Sequence, residues 1–258
     1  MTAIDSFYTL AARARAADHD RYLCALFAPP RARVALFALI LFNAEIARTR
    51  EAVSELMLGQ IRLQWWREAI DEIYQGRIRR HEVVEPLAEA IRAHSLTRGY
   101  FDRLIDARES DLDAAPPESM VALETYAEES AAPLVSLTLE AVGADAGAMP
   151  VLARHSGIGW ALTGLMRALP HHTAQGRDML PGGVSEVSDI ARWHIDEARK
   201  LRRGAARDVK RATLPAVLAD AYLGRLAACG HDPNHPGAAI GPLRRQLLLS
   251  RAAFLGLP

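Results

Sequence analysis

Apolar positions recur at three- and four-residue intervals along nearly the whole chain, and alternation of the strand type is essentially absent. The pattern predicts an all-α protein of about eight to eleven helices. Its centre is ALFALILFNAEIARTRE, residues 35–51, inside a span from 31 to 58 that holds neither proline nor glycine. That span predicts one long central helix, its apolar half deep in a core and Asn43, Glu45 and Arg48 facing the space the core surrounds.

Other helices are set around it by the same spacing. Residues 6–17 are rich in alanine, and Pro29 and Pro30 break the chain before the central span. Residues 60–74 place Ile61, Trp65, Ala69 and Ile73 at fours, with Trp66 and Ile70 beside them. The tryptophans could suggest a prenyl-binding stripe, but aromatic stripes at this spacing belong more often to a core, and Trp65 is the one expected to pack there. Gly76 ends that helix, and Pro86 opens the next. The pattern continues through Phe101, Leu104 and Ile105 to Asp111. Further helices are expected over 118–142, 151–169 (stopping at Pro170), 189–211, 214–228 and 242–254, with a Gly- and Pro-rich loop over 171–189.

Composition narrows the class. The chain has 258 residues, ample for one large domain, and Lys plus Arg equals Asp plus Glu at 31 each. Such a balance speaks against a general nucleic-acid binder. Cys24 and Cys229 are the only cysteines and have no partner spacing, which excludes a disulfide framework and a zinc site and suits a reduced, cytoplasmic setting. The N-terminal residues lack a secretory apolar region. The longest apolar run, 34–42, is about half of a bilayer-spanning helix, so a soluble protein, or one peripheral on the inner membrane, is expected.

Several segments in order carry a resemblance: SFY at 6–8, LFALILFNAEIA, QWWREAIDEIY, LIDARESDLD, ETYAEESAAPLVSLTLEAVG and GIGWALTGLMRALPHHTAQGRDMLP. Together, over roughly residues 6–226, they are similar to the squalene and phytoene synthase family. The resemblance implies the isoprenoid synthase fold, one all-α domain over 1–258 with a central cavity. Active members join two prenyl diphosphates head to head with magnesium held by two facing aspartate-rich helices. Cations are needed there because the diphosphate leaving group carries several negative charges.

Those are the positions at which this chain departs from the pattern. In the first motif the family's arginine falls on Leu41 and its three aspartates on Ala44, Glu45 and Arg48; in the second, the asparagine falls on Gly164, the aspartate on Ala168 and the acidic pair on His171 and His172. Arg167, Gly176, Arg177, Leu180 and Pro181 are kept, so the frame around the losses is intact. No metal is expected, and the positive charge of Arg48 opposes one. Asn43, Glu45, Arg48, Asp111, Tyr126 and Arg167 remain as candidates for a residual pocket, with Glu45 and Arg48 expected to pair locally. His171 and His172 point about 100° apart and are expected to be exposed or capping rather than ligating. His231 and His235 lie among prolines and belong to a turn.

Three functions follow. The first is a non-catalytic protein without a cofactor, similar to the branch of the family that includes a mitochondrial assembly factor for respiratory complex I, with a membrane-complex subunit or a membrane surface as partner. The second is a magnesium-dependent prenyl-diphosphate transferase with an atypical site built on Glu45, Asp111, Tyr126 and Arg167. The third is an apolar lipid or isoprenoid binder. Residues 196–211 bear on the first, since Arg199, Lys200, Arg202, Arg203, Arg207, Lys210 and Arg211 surround an apolar stripe. They form either a solvated helix face or a contact with an anionic surface.

Overall fold

The computed structural model describes residues 3–51, 55–112, 116–144, 149–177 and 179–255. Among them are twelve α-helices, two 3-10 turns and no strand. The helices are α1 (Ala3–Ala17), α2 (His19–Ala25), α3 (Pro30–Ala47), α4 (Leu56–Tyr74), α5 (Val84–His94) and α6 (Arg98–Ala107). They continue as α7 (Met120–Ala141), α8 (Met149–Ala174), α9 (Val184–Arg203), α10 (Arg207–Ala212), α11 (Leu214–Ala228) and α12 (Pro242–Leu255).

Every residue from 35 to 42 is buried, so the middle of α3 is apolar around its whole circumference, as a helix segment enclosed by others must be. Tyr22 stacks on Phe37 at 5.4 Å, and Phe42 meets Trp66 and Phe101 edge-on at 5.4 Å each. One apolar cluster gathers α1 to α6 and the second half of α7, with Ala153 of α8; another gathers the first half of α7 with α8, α9, α11 and α12. Both draw on α7 and α8, which lie so close that a Cβ added at Gly157 would stand 2.6 Å from the Ala132 backbone.

The long span expected over 31–58 is two helices. Proline at the first position opens α3, where its missing N–H costs nothing. The helix closes at Arg48, and the Thr49 amide bonds back to the Ile46 carbonyl at 3.2 Å. On α4 the buried positions are Gly59, Leu63, Trp66, Ala69, Ile70 and Ile73, so the stripe lies round from the one expected. Trp66 is the core residue; Trp65 is half-buried under the Arg79 guanidinium at 5.3 Å, and Ile61 is exposed.

Two proline and glycine expectations are also corrected. Helix α8 does not stop at Pro170 but continues for another turn, just as α7 accommodates Pro133. The helix expected over 189–211 begins earlier, at Val184, and divides at Gly204 into α9 and α10.

Candidate functional site

At one end of α3 and α8 lies a cavity of about 600 Å³. Ala47, Arg50 and Glu51 reach it from the end of α3, Leu165 and His172 from α8, Ala122 and Tyr126 from α7, and Arg108 and Asp111 from the chain after α6. The end of α8 is shaped by Gly176, whose φ of 70° suits a residue without Cβ. The Arg177 amide then bonds back to the His172 carbonyl at 3.0 Å, six residues to one, and this turn carries Arg177 to the cavity wall.

Asp111, Tyr126 and Arg108 form one closed hydrogen-bonded group. The Tyr126 hydroxyl donates to Asp111 Oδ1 at 2.6 Å, and Arg108 Nη1 donates to Asp111 Oδ2 at 3.0 Å and to the Tyr126 oxygen at 3.1 Å. Arg50 donates to the Asp111 carbonyl. Burial raises the Tyr126 pKa, opposed by Arg108 and assisted by Asp111, so the phenol stays protonated. Burial likewise lowers the His172 pKa, with Arg177 and His171 acting in the same sense, and its Nδ1 is buried with no hydrogen-bond partner among the described residues.

The other candidates are elsewhere. Glu45 does not pair with Arg48; its carboxylate accepts from Arg62 Nη2 at 2.6 Å, because α4 returns alongside α3, while Arg48 is exposed just past the end of α3. Asn43 is half-buried, with its Oδ1 unpartnered among the described residues. Arg167 faces away from Asp111, over the ring of Tyr222 at 3.7 Å, and bonds Asp20 Oδ2 at 3.1 Å. It lines a different cavity, of about 380 Å³, between α8, α11 and α12. Ala44, Gly164 and Ala168 are half-buried positions that supply no donor atom, His171 is exposed, and His172 is half-buried on the last turn of α8 rather than in a loop.

The magnesium that the fold family implies does not fit this set. Three arginines, Arg50, Arg108 and Arg177, line the cavity with the carboxylates of Glu51, Asp111 and Glu118, and Arg108 already holds Asp111. Among the described residues no group of three or more His, Cys, Asp or Glu is arranged to hold a metal ion. A second, mainly apolar space bordered by Leu36, Leu39, Ile40, Leu134 and Trp160 measures only about 50 Å³, room for one or two waters. The larger cavity can thus offer guanidinium and phenol hydrogen bonds to a polar group.

The basic residues of α9 and α10 are largely engaged within the molecule. Arg199 reaches Asp220 at 2.7 Å and also pairs with Asp196, while Lys200 pairs with Glu197. Arg202 donates to Thr213 Oγ1 at 2.9 Å and to the Lys210 carbonyl at 3.0 Å, and burial lowers its pKa to about 10. Arg203 is exposed, and Lys210 is half-buried.

A polar group that the sequence did not reveal lies on the α7–α8–α9 side. His155 and His194 share a hydrogen bond between their Nδ1 atoms at 2.9 Å, and His194 Nε2 meets Glu124 Oε1 at 3.1 Å. A trace exists in the sequence of α9, where His194 follows Val187 and Ala191 on the apolar face; its partner 39 residues away has none. Arg108 had a nearer signal, three residues before Asp111.

Helices packed around the apolar middle of α3, with an arginine-lined cavity at the end of α3 and α8, define a protein of the terpenoid-synthase fold class. The squalene/phytoene synthase family matches residues 14–186, and the chain belongs to it. Among curated proteins, NADH dehydrogenase (ubiquinone) complex I, assembly factor 6, of Bos taurus is 31% identical over 246 residues, covering 86% of this chain and 74% of that one. The Homo sapiens protein of the same name is 32% identical with the same coverage. Among solved structures, the squalene synthase HpnC from Alicyclobacillus acidocaldarius superposes with a TM-score of 0.78 at 18% identity, covering 89% of this chain and 95% of that one. A dehydrosqualene synthase superposes at 0.81 with 15% identity, covering 98% and 97%. At these identities the structures establish the fold.

Proposed function

We propose that this chain is a non-catalytic member of its family that assists assembly of a membrane-bound respiratory complex of the NADH dehydrogenase type, working without a metal cofactor at the membrane surface. The observation that carries the reading is the fate of Asp111. This cavity carboxylate is bound by Arg108 and Tyr126, and the positions where the resemblance would put the family's metal-holding residues carry Ala44, Glu45, Arg48, Gly164, Ala168 and His172. Curated relatives at about one-third identity carry the name of a complex I assembly factor, which supports the same reading. No helix among the described residues is long and apolar enough to cross a membrane.

Deletion of the gene in its host tests this directly. NADH:ubiquinone reductase activity of the membranes is expected to fall and to return with the wild-type gene. Unchanged activity would sink the assembly role, and a head-to-head product from purified protein, farnesyl diphosphate and magnesium would sink the non-catalytic one.

A further inference from the structure

Helix α12 carries more exposed apolar surface than its packing needs. Its inner side, Leu249, Ala252 and Ala253, is buried against the second core cluster. Its outer side presents Leu243 at 83% exposure, Leu247 at 61%, Phe254 at 62% and Leu255 at 67%. At 3.6 residues per turn these four, with Arg244 and Arg251, fall within an arc of about 120°. Both arginines are exposed, and neither has an acidic partner among the described residues. The helix contains no Asp or Glu.

The neighbouring α10 extends the positive charge. It has Arg207, Lys210 and Arg211 against one acid, Asp208, which Arg31 and Arg211 approach at 3.2 and 3.8 Å. Arg211 also lies 5.9 Å from the Phe254 ring, tying the cationic and apolar parts together. Because the whole chain has zero formal charge, a positive face here means a compensating negative excess elsewhere. Such a molecule turns this face toward an anionic surface.

We infer that the outer face of α12, with α10, docks on an anionic lipid bilayer, the leucines and Phe254 entering the headgroup boundary and the arginines meeting lipid phosphates. An apolar stripe flanked by arginine and free of acids is the pattern of a helix lying in the interface plane. A second copy of the chain is a poorer occupant, since a two-fold dimer would set this positive face against itself. The surface lies apart from the Asp111 cavity; it rests on the membrane-surface part of the proposed function and is separable from the assembly role itself.

Vesicle flotation with the purified full chain tests the inference. Binding is expected to vesicles of phosphatidylcholine with phosphatidylglycerol, to be much weaker to phosphatidylcholine alone, and to loosen with salt. Arg244→Gln and Arg251→Gln should each weaken partitioning about fivefold. Leu247→Glu with Phe254→Glu should abolish it while leaving the thermal midpoint near wild type, since both side chains are largely outside the core. Equal binding to neutral vesicles overturns the proposal, as does flotation of the double variant. So does failure of the wild type to float, including the case where α12 instead supports a dimer or binds an acidic protein. If flotation fails while gene deletion still lowers NADH:ubiquinone reductase activity, the docking surface falls and the assembly role stands.

Discussion

Arg167 and Asp20, 147 positions apart in the chain, meet at 3.1 Å between the guanidinium Nη1 and the carboxylate Oδ2. Arg167 is the motif arginine that the chain keeps, and its partner is a structural one. Asp20 is almost wholly buried; it also accepts from the Tyr222 hydroxyl at 3.0 Å and forms an ion pair with Arg245 at 2.8 Å. Two cations and a phenol depend on this single carboxylate. Asp20→Ala should therefore destabilise the fold by about 3–5 kcal/mol, the cost of leaving a buried charge unpaired. Urea denaturation would measure it, and a loss below about 1 kcal/mol would refute the dependence.

The close approach of α7 and α8 makes a second prediction. At Gly157 a methyl group would meet Ala132 Cα and N at 2.6 Å, and backbone cannot rotate away as a side chain can. Gly157→Ala should cost about 1–3 kcal/mol despite alanine's better helix propensity. A stabilised variant in thermal melts would show that the two helices can separate freely.

Much of this architecture was legible in the sequence because helical periodicity is local. Residues 35–42 announced a buried helix, and the motif frame from Gly176 to Pro181 announced the family fold. What failed depends on contacts distant in sequence. Spacing along the helix pairs Glu45 with Arg48, three residues on, but α4 brings Arg62 to it instead. The sequence groups Arg167 with Asp111 in one pocket, yet the two line different cavities, because a helix face cannot be assigned until its neighbours are known. The break after Ala47 was hidden for a related reason: no proline or glycine marks it.

The closed group at the cavity yields a third prediction. With side chains only 13% and 18% exposed, Arg108 and Asp111 are a largely buried pair, and Asp111→Ala would strand the guanidinium. A loss of about 3–5 kcal/mol is expected. Tyr126→Phe removes one hydrogen bond and should cost about 1 kcal/mol. Since all three groups share bonds, a double-mutant cycle between positions 111 and 126 should give a coupling of about 0.5–3 kcal/mol, and strict additivity would show that they act separately.

The buried histidine pair predicts acid sensitivity. Burial lowers the pKa of both His155 and His194; Arg154 adds to this for each, while Glu124 opposes it. The Nδ1–Nδ1 hydrogen bond needs one nitrogen bare, so protonating both would break it. The folded state thus binds protons less readily than the unfolded chain, whose histidines titrate near 6.5. Stability is complete above that value and is lost as pH falls through the depressed folded values. His172, also depressed, acts in the same direction. Urea midpoints should hold steady from about pH 8 to 7 and fall toward pH 5. In His194→Gln that fall should be shallower, because one buried site no longer titrates. An equally steep fall in the variant would move the acid sensitivity away from the pair.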